Sequence, residues 1–172
     1  MIVLVAGLPG TGKSTLAREL ALLTHGRVLS KDEIRHAVFA PDEIEYSSVQ
    51  DDLCLEIMLR AAGFLLERDR RRVIFLDGRP FSRRYQIENA ISFAESIHQP
   101  WRILECVCSE ETALSRLKKD SAAGIHQAGN RDASLYAAVK ARFEAICHPR
   151  TVIDTDQPLE ECIAQARAAL RA

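Results

Sequence analysis

GLPGTGKST, Gly7 to Thr15, follows directly on the apolar run MIVLVA that opens this 172-residue sequence. Gly7, Gly12, Lys13 and Ser14 satisfy the spacing GxxxxGK[ST] in full. The preceding run reads as a strand, and Leu16, Leu20 and Leu23 recur at helical spacing behind it. Strand, glycine-rich turn and helix together form the context in which this motif grips phosphate. Glycines let the backbone curl so that successive N–H groups face an anion, and the helix adds its positive end. Lys13 is then expected to reach the β and γ phosphates, with the Ser14 hydroxyl available to Mg²⁺. Gly7, Gly10, Thr11, Gly12, Lys13, Ser14 and Thr15 form the expected nucleotide-binding set. A dinucleotide-binding turn would need GxGxxG, and the spacing here is G-x-x-G-x-G.

Working outward, four further apolar runs recur: RVLS at 27–30, VIFLD at 73–77, RILECV at 102–107 and TVID at 151–154. Near-continuous apolar runs suit strands buried on both faces, as in parallel sheets. Helical stripes fill the gaps: Cys54, Ile57, Met58, Ala61, Leu65; Ile87, Ile91, Ala94; Leu135, Val139, Phe143, Ile146; and Leu159, Cys162, Ile163, Ala166, Leu170. Alternating strands and helices imply right-handed crossovers and a three-layer α/β/α P-loop NTPase fold. The expectation is one domain, 1–172, with a mostly parallel five-stranded sheet and a helical lid near 115–133. In such sheets ligands bind at the carboxyl ends of the strands. Gly7, Ser30-Lys31-Asp32 and Asp77-Gly78 all lie at such ends, so three loops should converge on one edge.

Those loops carry the candidate chemistry. Asp32 follows the second strand, with Arg35 one turn later. A carboxylate there could accept the proton of an attacking hydroxyl, and an arginine at i+3 could hold substrate or the migrating phosphoryl group. The plainer alternative makes Asp32 a helix N-cap. Asp77 ends four apolar residues in the Walker B pattern and is a candidate for the Mg²⁺ shell; Asp77-Gly78 is equally a favoured turn dipeptide. Arg116 precedes the polar stretch SAAGIHQAGNRD and Arg131 lies within it; together they read as a lid with cationic clamps. Two segments should border an acceptor pocket: the acidic HAVFAPDEIEYSSVQDD with Tyr46, and Arg79-Pro80-Phe81-Ser82-Arg83-Arg84-Tyr85. The arginines of the second could bind an acceptor's phosphate or carboxylate. On the plainer reading Phe81 is core and Ser82 caps the next helix.

Bulk properties narrow the partners. The hydrophobic fraction is 47%, the charged fraction 27% and the net charge −1. That balance offers no global positive field for nucleic acid, whose phosphates demand Lys and Arg. It favours a small hydroxylated acceptor, with a polynucleotide as the less favoured alternative. Arg68-Asp69-Arg70-Arg71-Arg72 reads as a solvated helix end. The five cysteines form no CxxC pair, and buried free thiols are their simplest reading. The opening apolar run is too short for a signal peptide or a membrane span, so no membrane partner and a reduced, cytoplasmic setting are expected. An NKxD base-reading motif, which a GTPase would want, is absent.

GLPGTGKST, SKDEIR, VIFLDG, ALSRL leading into NRDASL, and VIDTDQPLEE together resemble a group of P-loop kinases. This group includes polynucleotide 5′-hydroxyl kinases of the phage type, chloramphenicol phosphotransferases and zeta-toxin-like kinases, often described as AAA-type ATP-binding proteins. The resemblance spans essentially the whole chain. It implies ATP as donor, Lys13 and Ser14 in their P-loop roles, Asp32 as base, Arg35 near the acceptor and a lid arginine on the phosphates, with Arg116 the better match. It also implies that Thr155-Asp156-Gln157-Pro158 lies near the adenine through its backbone. The expected activity is Mg²⁺-assisted transfer of the γ-phosphoryl group of ATP to an acceptor hydroxyl. A polynucleotide 5′-hydroxyl kinase and a non-catalytic ATP-binding switch are the alternatives.

Overall fold

The architecture follows from one strand with no polar face. In the computed structural model, which describes residues 1–122 and 133–171, β1 (Ile2–Ala6) is buried at every position. Ile2, Leu4 and Ala6 join one apolar cluster, while Val3 and Val5 join another. Side chains alternate across a strand, so an unbroken apolar run requires cover on both sides. The cover comes from α1 (Lys13–Thr24), α2 (Lys31–Val38), α3 (Ser48–Arg68), α4 (Arg84–Ser96), α5 (Glu110–Ala122), α6 (Ala133–Ala141) and α7 (Leu159–Arg171). The remaining strands are β2 (Arg27–Ser30), β3 (Ile74–Asp77), β4 (Trp101–Val107) and β5 (Thr151–Asp154). A 3₁₀ turn spans Pro41–Glu43.

The sheet order is β2-β3-β1-β4-β5, and every pairing is parallel. One face packs on α3 and α4 through Leu55, Met58, Leu66, Ile87 and Ile91. The other packs on α1 and α7 through Leu16, Leu20, Cys162 and Ala166. This is the three-layer α/β/α P-loop NTPase fold expected from the strand-helix alternation. Register matters for the site: Ser30 lies opposite Asp77, so the β2 and β3 exits are side by side. No described helix is long and apolar enough to cross a membrane.

The stripe Leu135–Ile146 is only partly helical. α6 ends at Ala141, although Ile146 is buried and Phe143 packs against the main cluster. The chain leaves the helix because Glu144 is claimed elsewhere. Its N–H donates to Ser82 O at 2.9 Å, and its carboxylate accepts from Arg84 N at 2.7 Å and Arg83 Nη1 at 3.0 Å. Glu144 thus satisfies an amide of the first turn of α4, the task expected of Ser82. Phe81, by contrast, is core as the plainer reading had it. The middle of the expected lid, with Arg131, lies outside the described residues.

Two expectations follow. Those hydrogen bonds hold the Glu144 carboxyl below its ordinary value, with the Arg84 amide the largest cause. A depressed native pKa contributes stability above the unfolded pKa, and that contribution is lost as pH falls through the native one. Glu144→Gln should therefore lower the urea midpoint at pH 7 and make no difference well below pH 4, roughly the unfolded carboxyl value. The thiols should separate too. Cys54, Cys106 and Cys162 are buried, Cys147 is exposed, and burial pushes Cys106 up to about 12. Iodoacetamide at pH 8 should label Cys147 fastest in the native protein, and Cys106 only on unfolding.

Candidate active site

A cleft of about 490 Å³ opens along the carboxyl edge of the sheet. Gly10, Gly12, Lys13, Ser14 and Thr15 line one end, and Asp32, Arg35, Tyr46 and Asp51 line the other. The expected convergence of three loops is therefore realised, with Gly78 and Pro80 bringing in the third.

The phosphate-motif end is built around the start of α1. Its N-cap is Gly12, with φ at 76°, no side-chain capping bond and no acid in the first turn. No capping side chain and no first-turn acid offset this end of α1, so its amides add to the positive end of the helix dipole. An anion is the natural partner. Gly10 has φ at 78°, and a Cβ there would lie 2.5 Å from Ala113 O on α5. Glycine is thus required both for backbone conformation and for the close approach of α5. The loop is braced internally: Thr11 Oγ1 donates to Leu8 O at 2.8 Å, and Lys13 Nζ donates to the same oxygen at 2.5 Å. Gly7 N donates to Pro80 O at 3.1 Å, tying the loop to the β3 exit.

Asp77 is buried at the end of β3, and its Oδ1 has no hydrogen-bond partner among the described residues. A buried carboxylate oxygen without a donor is costly unless a cation or ordered water meets it. The orphaned oxygen, on a strand end beside the glycine loop, fits an Mg²⁺ held chiefly by phosphates and water. No cluster of three or more His, Cys, Asp or Glu suited to a metal occurs among the described residues.

At the other end Asp32 is the second residue of α2. The N-cap is Ser30, whose hydroxyl accepts from Glu33 N at 3.4 Å, so capping is not the task of Asp32. Its Oδ1 accepts from Arg35 Nη1 at 3.2 Å. Arg35 is wholly buried, bonded also to Gln50 Oε1 at 3.1 Å and ion-paired with Asp51. The Tyr46 ring covers its guanidinium at 4.9 Å, from a backbone held at φ 52°. Lys31 Nζ reaches Asp51 at 2.8 Å. Lys31 was placed at the converging edge and Gln50 and Asp51 in the segment expected to border the acceptor pocket, but the sequence assigned none of the three an individual role. The available signal was Ser47-x-x-Gln50, an N-terminal helix signature that places Asp51 and Asp52 in or just beyond a first turn. Ser47 Oγ does accept from Gln50 N, at 3.2 Å.

Arg79, Arg83 and Arg84 do not line the cleft. Arg79 is buried and paired with Asp52, and the other two serve Glu144. Arg116 does line it, donating to Thr155 Oγ1 at 2.9 Å and Thr155 O at 2.7 Å. The Thr155 hydroxyl in turn reaches Thr11 O at 3.1 Å. Here a side chain, not the backbone alone, links the β5–α7 loop to the glycine loop. Arg142, just past α6, also borders the cleft and was not foreseen.

The chain matches the AAA domain family over residues 2–146. No curated protein matches it significantly. Several solved structures share the fold. A sugar kinase from Janibacter sp. HTCC2649 is 20% identical, with 99% of this chain and 94% of that chain covered and a TM-score of 0.71. The Mycobacterium tuberculosis APS kinase CysC, solved with AMPPNP and APS, is 16% identical, with 99% and 97% covered and a TM-score of 0.74. Chaetomium thermophilum Kti12, solved with ADP-AlF3, is 15% identical, with 98% of each chain covered and a TM-score of 0.71.

The buried charge network has a measurable consequence. Asp51→Ala leaves the buried Arg35 with only Asp32 as counter-charge and should cost about 3 kcal/mol in urea unfolding. A loss below about 1 kcal/mol would mean that Asp32 alone neutralises Arg35.

Proposed function

The chain belongs to the AAA domain family, and we propose that it is an ATP-dependent phosphotransferase acting on the hydroxyl of a small molecule. The observation that carries this reading is the position of Asp32. It faces the same cleft as the glycine loop and Lys13, and Ser30, not Asp32, caps α2. A carboxylate released from capping and set across a cleft from a phosphate site suits a general base.

On this reading the triphosphate of ATP lies against the amides of the glycine loop and the start of α1, with Lys13 swinging from Leu8 O to the β and γ phosphates. Ser14 and Asp77 would hold Mg²⁺, which supplies neutralisation of the phosphate charge. Asp32 accepts the proton as the acceptor oxygen attacks the γ-phosphorus and the bond to the β-phosphate oxygen breaks. Arg35 acts as a positioning residue: its buried guanidinium fixes Asp32 from behind. Arg116 ties α5 to Thr155, and Arg131 belongs to the proposed lid spanning about 115–133. Arg116, Arg131 and Arg142 are the candidates to meet the charge developing on the transferred group.

The sugar kinase and APS kinase among the fold relatives support a small hydroxylated acceptor. A reduced cytoplasmic setting fits free cysteines and an intracellular nucleotide.

Asp32→Asn should lower the transfer rate by about 10²–10⁴-fold. ATP affinity, read by titration calorimetry, should change little. Transfer that survives Asp32→Asn at full rate would remove Asp32 from the base role. ATP turnover indifferent to every alcohol supplied, with no phosphorylated product, would point to a nucleotide-operated switch.

A further inference from the structure

Two cations in the cleft stand apart from the rest. Lys31 and Arg35 are matched by Asp32 and Asp51, and Arg116 is bonded to Thr155. Arg18 and Arg142 line the same cleft, are exposed, and carry no ion pair among the described residues. They belong to opposite layers of the fold. Arg18 lies on α1, one turn beyond Ser14, and α1 packs with α7 on one face of the sheet. Arg142 follows α6, and its segment is anchored on the other face. Ile146 is buried there, and Phe143 packs against the same cluster, as does Ile34 of α2.

That anchorage brings Arg142 to the side of the cleft that carries Asp32. Two residues after it, Glu144 N donates to Ser82 O at 2.9 Å, and the Glu144 carboxylate accepts from Arg84 N at 2.7 Å. These bonds tie the Arg142 backbone to the β3–α4 loop, whose Gly78 and Pro80 border the cleft. The β3 exit in turn lies beside the β2 exit, with Asp77 opposite Ser30 and Asp32 close behind it in the chain. Leu135 and Val139 also line the cleft, at helical spacing before Arg142, so this face of α6 is apolar and ends in a cation. On this side Lys31 and Arg35 are neutralised by acids of the wall, whereas Arg142 keeps its charge for a ligand. A guanidinium offers paired N–H donors that match a carboxylate or a phosphate.

Resting on the phosphotransferase reading above, we infer that the acceptor is a small anionic alcohol whose carboxylate or phosphate is held by Arg142 while its hydroxyl faces Asp32. In the transfer step the acceptor oxygen bonds to the γ-phosphorus, ADP leaves, and the hydroxyl proton passes to Asp32. Arg142 thereby determines acceptor specificity and does not meet the transferred group.

The test pairs alcohols that differ in charge: glycerate with glyceramide, gluconate with gluconamide, glycerol 3-phosphate with glycerol, and nucleoside 3′-monophosphates with nucleosides. A 5′-hydroxyl oligonucleotide completes the set. Product is followed by mass spectrometry and kcat/KM by ADP release. The anionic member of the productive pairs should be favoured by about tenfold or more, the scale of one charge-assisted hydrogen-bonded contact. The carboxylate and phosphate pairs tell the two oxyanions apart. Arg142→Ala should shrink the preference at least about tenfold through KM. Arg142→Lys keeps the charge but loses the paired donors, and should retain part of the preference. A kcat that falls equally for both members of a pair would assign Arg142 to the transferred group and overturn the inference. Equal use of both members, a preference for the neutral ones, or an oligonucleotide as the best acceptor overturns it too, and each leaves phosphoryl transfer standing. Absence of phosphorylated product from every acceptor overturns the phosphotransferase reading itself.

Discussion

A strand buried on both faces governs this molecule. β1 presents no polar side to water, so helices must cover the sheet above and below, and its neighbours β3 and β4 run parallel to it. Parallel strands all end at the same edge. Three candidate site segments are delivered there: the glycine loop from β1, Asp32 from the β2 exit and Asp77 from β3. The same constraint leaves the amino end of α1 facing that edge without a side-chain cap. Burial of apolar side chains thus produces, as a geometric by-product, a site that favours an anion.

The second organising interaction is electrostatic. Arg35 and Arg79 are among the largest fully buried side chains, a placement tolerated only because each is paired. Asp51 and Asp52, adjacent in α3, supply those pairs from one short stretch of backbone. The pairing joins α2, α3 and the β3–α4 loop into one wall. Tyr46 closes it, held in a left-handed backbone conformation that a tyrosine rarely adopts. Strain of that kind persists only where surrounding contacts enforce it, and here the ring is seated over the Arg35 guanidinium.

Much of this was legible in the primary structure, for reasons that differ by residue. GLPGTGKST could be read because its chemistry is local: glycine spacing, a lysine and a hydroxyl act within one turn. β1 and β3 could be read because two-sided burial writes an unbroken apolar run. Leu135–Ile146 misled because Phe143 and Ile146 are apolar for packing while Glu144 is drawn to α4, and periodicity cannot see that bond. The arginines at 79, 83 and 84 suggested an anion site, yet Arg79 is paired with Asp52, Arg83 with Glu144, and the Arg84 guanidinium donates to Cys147 Sγ.

The sequence by itself determined the layer order, the glycine-rich turn and the acids at the β2 and β3 exits, Asp32 and Asp77, since propensity, periodicity and motif spacing are short-range properties. Only the tertiary structure decided which acids neutralise which cations. Arg35 meets Asp51 across 16 positions, and Arg79 meets Asp52 across 27. It also buried the cations more deeply than the carboxylates that neutralise them. Net charge is blind to that order, because a charge is felt through its depth and its partner, and both are set by how distant segments pack.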